Sequence, residues 1–171
     1  TDDPKVRKAA NYLRMKQDEH GGWSSYPGGP PDVSASVKNY FVLKLVGDDP
    51  EAEHMRRARE VIHRLGGIDA CNSFTKAYLA IFQQYPWSRC PAVPPEIILL
   101  PTWFYFNVYE MSSWSRAIFV PLSIIWAHKP VCAVPEHAHI RELFVDLQPA
   151  VTTAGDRSNS ERIWRTFFYT V

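Results

Sequence analysis

Trp114 stands in the run Tyr109-Glu110-Met111-Ser112-Ser113-Trp114-Ser115-Arg116-Ala117, where a Ser-rich turn leads into an apolar helical pattern. An indole there is either a core ring or a cavity wall, and in a wall its π face would stabilise a passing cation by up to ~2 kcal/mol. The other chemistry-bearing residue types are poorly placed for catalysis. His137 and His139 alternate in a Pro-bounded loop without two further ligands, and Cys71, Cys90 and Cys132 lack metal-ligand spacing. These cysteines read as free thiols of a reducing compartment. No nucleophile motif, Gly-rich phosphate loop or zinc signature occurs, so neither metal nor cofactor is expected.

A second constellation is structural. Lys8-Ala9-Ala10-Asn11-Tyr12-Leu13 is followed by Gln17 and then by Gly21-Gly22-Trp23. A Gln amide at the last turn of a helix can bond backbone groups left over there, and an indole folding back can stack on that amide. The pair would staple one helix to the next. The supporting helix is expected over 4–19, capped by Asp3 with Pro4 at its first position. After the Gly- and Pro-rich turn 24–31, a helix capped by Asp32 or Ser34 runs to about Val46 and stops at Gly47.

The spacing predicts a third helix over 51–65, with Met55, Ala58, Val61, Ile62 and Leu65 as its buried stripe, stopped by Gly66-Gly67. A fourth, opened by Asn72 or Ser73, carries Phe74, Tyr78, Leu79, Ile81 and Phe82 to about Tyr85. Arg57-Ala58-Arg59-Glu60-Val61-Ile62 echoes the stretch from Lys8 forty-nine residues earlier, but without the Gln and the Trp. One period holds two helices, the unit of an α-solenoid or an α/α barrel. Beyond Pro86 a short helix is expected at 95–100, irregular chain at 101–109, a helix kinked by Pro121 at 112–127, and a short helix from Glu136 to Phe144. A polar stretch 148–160 and an amphipathic helix 158–169 would follow, exposing Trp164, Phe167 and Phe168 to self-association or to a further domain.

Charge and hydropathy narrow the partners. A net charge of +1 from 19 basic and 18 acidic residues offers nothing to nucleic acid. Six Trp, nine Phe and eight Tyr suit an aromatic-lined pocket or interface. The uncharged windows 97–109 and 117–127 are shorter than the ~20 residues a spanning helix needs, yet could form a surface that lies on a membrane.

The opening stretch resembles the Gln-Trp repeat of triterpene cyclases. Tyr26-Pro27-Gly28-Gly29-Pro30-Pro31-Asp32, Gly66-Gly67-Ile68, Phe74-Thr75, Tyr85-Pro86-Trp87, Pro94-Pro95-Glu96-Ile97 and Ser113-Trp114-Ser115-Arg116-Ala117 follow in the order of bacterial squalene-hopene cyclases, over residues 5 to about 145. The resemblance implies an all-α fold, with 1–147 an α/α barrel segment and 148–171 a linker and terminal helix. It implies squalene or a related polyprenyl lipid as substrate, cyclised through carbocations, and a monotopic seat on the cytoplasmic side of the bacterial inner membrane. By the same match Trp114 faces the substrate cavity, Met111 and Phe119 narrow the entrance channel, and Gln17, Gly21, Gly22 and Trp23 form the structural repeat motif.

Family members start the reaction with an acid from an Asp-any-Asp-Asp motif. The nine Asp here contain none, so the chain alone is expected to be inactive and to need the catalytic barrel domain as partner. The alternative is a non-catalytic helical module that binds isoprenoid lipid or a partner protein.

Overall fold

Asp3 accepts a hydrogen bond from the Lys5 amide at 2.8 Å and Pro4 follows at the first helical position, which together start α1 (Pro4–Met15). This is the first element of a computed structural model that describes residues 3–105 and 107–145. The predicted stretch 148–160 and helix 158–169, with Trp164, Phe167 and Phe168, lie outside the described residues. The described chain is all-α, the expected α/α barrel segment, and it separates into two compact units. The first takes in the chain up to Cys90 and a return segment from Val131; the second contains Pro91–Pro130.

The first unit is two helical hairpins in succession. α2 (Val33–Val46) starts where Asp32 accepts from the Ala35 amide at 2.7 Å, and ends at Gly47, whose φ of 113° lets the chain reverse. α3 (Glu53–Arg64) buries Met55, Ala58, Val61 and Ile62, and α4 (Ser73–Ile81) is capped by the Asn72 side chain on the Thr75 amide at 2.9 Å. α2 packs on both α1 and α3, placing Val37, Tyr40, Phe41 and Leu43 in a core completed by Trp23, Ile68 and Leu79. Two buried serines on α2 receive the entering loops: Ser36 Oγ accepts from the Trp23 amide and Ser34 Oγ from the Asn72 amide, each at 3.0 Å.

Four expectations about element ends need correction. α1 ends at Met15 rather than 19, because the chain turns through Asp18, whose amide donates to the Gly22 carbonyl at 2.9 Å. α3 begins at Glu53, and Leu65 is its C-cap, partly exposed rather than in the buried stripe. α4 stops at Ile81: Gln83 takes a φ of 60° and the Gln84 amide folds back onto the Leu79 carbonyl at 2.8 Å. The segment from Glu136 to Phe144 is not one helix but two 3-10 turns, Glu136–Ala138 and Arg141–Leu143, because the Ile140 amide is taken by the Gln84 side chain at 3.0 Å.

The staple between hairpins forms with its roles exchanged. Trp23 Nε1, not Gln17, reaches back to the end of α1 and donates to the Leu13 carbonyl at 2.9 Å. Gln17 Nε2 instead donates to the Gly21 carbonyl at 2.7 Å and across to the His54 carbonyl of α3 at 2.8 Å. Gly21, at φ 95°, lies so near α3 that a Cβ there would sit 2.8 Å from the Arg57 Cβ. In the second copy the buried Ile68 follows Gly66-Gly67 where Trp23 follows Gly21-Gly22.

A charged node locks the same junction. Asp48, its side chain 7% exposed, accepts from both Nε and Nη2 of Arg14 at the end of α1 and pairs with His54 Nε2 at 2.8 Å. Burial alone would raise its pKa, but the bonds from Arg14 and His54 outweigh that and hold the carboxyl below its usual range. Replacing Asp48 with Ala removes the acceptor that Arg14 and His54 share, and should cost about 2 kcal/mol, read as a lower urea midpoint at unchanged slope. A depressed carboxyl contributes its stability above the unfolded-state pKa and loses it as pH falls through the native value. The Asp48→Ala chain should therefore lose less stability than wild type between about pH 5 and about pH 3.

Candidate functional site

The second unit holds the residues that sequence reasoning assigned to substrate. It opens with the 3-10 turn Pro95–Leu99, passes through an aromatic loop, and ends in α5 (Ser113–His128). Ser112 caps α5 by accepting from the Ser115 amide at 3.2 Å, which fixes Trp114 in the first turn. At the other end Lys129 adopts a φ of 45°, closes the helix on the Ile125 carbonyl and lays its ammonium 5.1 Å from the Trp126 ring centre. Pro121 lies inside the helix and has no amide to donate to the Ala117 carbonyl.

Asn107 organises the loop before α5, and nothing in the sequence reading singled it out. It is 2% exposed, and its Oδ1 accepts from the Tyr109 amide at 3.0 Å and the Glu110 amide at 3.1 Å. Its Nδ2 donates to the Thr102 carbonyl at 3.2 Å and to Phe104 at 2.9 Å. All four bonds of one amide are thus spent on the backbone around it. The available signal was local: Asn is the residue that caps a short turn through its own side chain, here the 3-10 turn Val108–Glu110 inside a stretch expected to be irregular.

This scaffold presents large apolar groups outward. Leu99, Trp103, Tyr105, Tyr109 and Ile124 are exposed, and Trp114 is 74% exposed. Met111 and Phe119 are half-buried. Five residues of helix separate Trp114 from Phe119, which sets them about 140° apart around α5. No ring contact joins them among the described residues. The arrangement can offer π faces and apolar surface to a lipid or to further protein.

In the first unit the polar groups are structural. His139 Nδ1 is engaged by Gln84 Nε2 at 3.1 Å, and no group of three His, Cys, Asp or Glu among the described residues could hold a metal ion. Burial pushes the Cys71 thiol up to about 11, which keeps it protonated and unreactive at neutral pH. Tyr40 and Tyr85 are likewise pushed up by burial and by bonds to Glu142 and Asp69, at 3.0 and 2.8 Å.

The profile of the squalene-hopene cyclase N-terminal domain matches residues 1–171. A squalene-hopene cyclase of Zymomonas mobilis is 44% identical over 94% of this chain and 24% of its own length. One of Schizosaccharomyces japonicus is 46% identical over 84% of this chain and 22% of its own length. A third, of Alicyclobacillus acidocaldarius, is 40% identical over 86% and 24%. The chain thus spans about a quarter of the length of these relatives.

Asn107→Ala removes four bonds at once and leaves two carbonyls and two amides to find new partners. It should cost about 2 kcal/mol and raise proteolytic cleavage within 101–111, with cleavage in α1–α3 unchanged.

Proposed function

The chain belongs to the squalene-hopene cyclase family, and on that premise we propose that it is part of a squalene-hopene-type cyclase, in which squalene or a related polyprenyl lipid is closed to a pentacyclic hopanoid through carbocations. Its own share is wall, channel and surface. Trp114 lines the substrate cavity, and its π face stabilises positive charge without offering a base that would quench it. Met111 and Phe119 narrow the channel through which the lipid enters. Leu99, Trp103 and Tyr105 belong to the surface that rests on the cytoplasmic side of the bacterial inner membrane. The observation that carries this reading is the exposed aromatic set of the second unit, held outward by Asn107 and the Ser112 cap.

The initiating acid lies outside this chain. Protonating an alkene requires a carboxylic acid that keeps its proton, hence a raised pKa. Asp48 and Glu142 are both shifted the other way, held ionised by Arg14 and His54 in one case and by Lys44 and Tyr40 in the other. None of the nine Asp stands in an Asp-any-Asp-Asp sequence. The catalytic barrel domain is the partner that supplies it.

Exchanging the matching segment of the Zymomonas mobilis cyclase for this chain should give an enzyme that forms hopene from squalene, while the 171-residue chain alone should form none. Trp114→Ala in the exchanged enzyme should lower kcat by about tenfold, the rate equivalent of one lost cation–π contact. A folded exchange enzyme without product would contradict the assigned role, and hopene from the chain alone would contradict the missing acid.

A further inference from the structure

The return segment Val131–Val145 crosses the first unit as a strap. It has no helix of its own beyond two short 3-10 turns, and it is held at four places on three helices or their ends. The Cys132 amide donates to the Ile81 carbonyl at the end of α4 at 2.7 Å. The Gln84 side chain, 5% exposed, accepts from the Ile140 amide and meets His139 Nδ1. The Lys44 ammonium of α2 donates to the His139 carbonyl and to Glu142 Oε1, which also accepts from Tyr40 at 3.0 Å. His63 of α3 pairs with the Glu142 carbonyl at 2.6 Å.

Beneath these bonds Ala138, Ile140 and Leu143 are fully buried, and Phe144 stacks on Tyr85 at an interplanar angle of 6°. Gly67 lies so close that a Cβ would stand 2.7 Å from the Leu143 carbonyl.

The lining beneath the strap is unlike the rest of the core. Both side-chain hydrogen bonds that Lys44 makes among the described residues go to the strap, and so do two of the three made by the Gln84 side chain. If the strap lifts, Lys44, Glu142 and Gln84 exchange protein partners for water instead of being stranded in a dry interior, so opening loses chiefly the burial of three apolar side chains and one ring contact. The first hairpin is tied to α3 by Gln17 and Asp48 and closed on itself by Trp23, through bonds that go to Gly21, His54, Arg14 and Leu13 rather than to the strap. Opening the strap leaves those ties intact.

We propose that Val131–Val145 is a separately opening strap, latched by Glu142 on Lys44 and Tyr40 and by Gln84 on Ile140, that pins the chain where it returns from the Trp114-bearing unit. Glu142 and Gln84 are positioning residues for that return stem. The inference stands on the first unit alone and does not depend on the substrate.

Native-state hydrogen exchange of the full 171-residue chain in low urea tests it. The Cys132, Ile140, Leu143 and Phe144 amides should exchange through an opening with a shallower urea dependence than the α2 amides Tyr40 to Lys44. In Glu142→Gln the strap amides should exchange about tenfold faster or more, while α2 and α3 keep their rates. Strap and α2 amides opening together, with one urea slope in wild type, would overturn the proposal whether or not the variant folds. A Glu142→Gln chain in which all segments accelerate in parallel would overturn it as well.

Discussion

The side-chain amide of Gln17 has to satisfy two carbonyls at once, one in its own turn and one on the helix of the next hairpin, and the rest of the first unit depends on that bridge. It can be built only if α1 stops at Met15, if the turn brings Gly21 against α3 without a side chain in the way, and if the Trp23 indole joins the Lys16 amide on the Leu13 carbonyl at the helix end. The Asp48 node then braces the same junction from the other side, joining the last turn of α1 to His54 on the residue whose carbonyl Gln17 holds. Apolar burial supplies the bulk of the stabilisation, but it is non-directional. These polar ties set the angle at which one hairpin follows another, as repeats require.

Much of this was legible in residue types. Asp3-Pro4, Asp32, Gly47, Asn72 and Ser112 act locally, through one side chain on an amide two or three residues away, or a φ that only the chain end needs. Such signals survive without knowledge of the fold. The errors fell where a distant group overrides the local pattern. Residues 136–144 have helical spacing, but Gln84 and Lys44 claim the backbone of Ile140 and His139, and no window of neighbours contains those partners. Gln17 was recognised as a staple while its target was misjudged for the same reason: His54 is 37 residues away.

The second unit shows the opposite balance. Its helix and cap could be read directly, and Trp114 was singled out by an aromatic at a Ser-rich helix start, yet the amide that holds the loop in place was missed because one Asn among aromatics carries little pattern. Its exposed rings conflict with the usual economy of a water-facing surface, and the proposed cyclase role turns them to use as apolar surface offered to lipid. Among the described residues the Asp48 and Glu142 carboxylates are driven toward ionisation, which suits braces and not a proton donor.

Photolabelling in the assembled exchange enzyme addresses the central claim most directly, that this chain presents its second unit to the polyene. With a diazirine-bearing squalene analogue, the account predicts label on peptides spanning Met111–Phe119 that excess squalene removes. Label confined to α1–α4, or label in Met111–Phe119 that squalene does not displace, would contradict it.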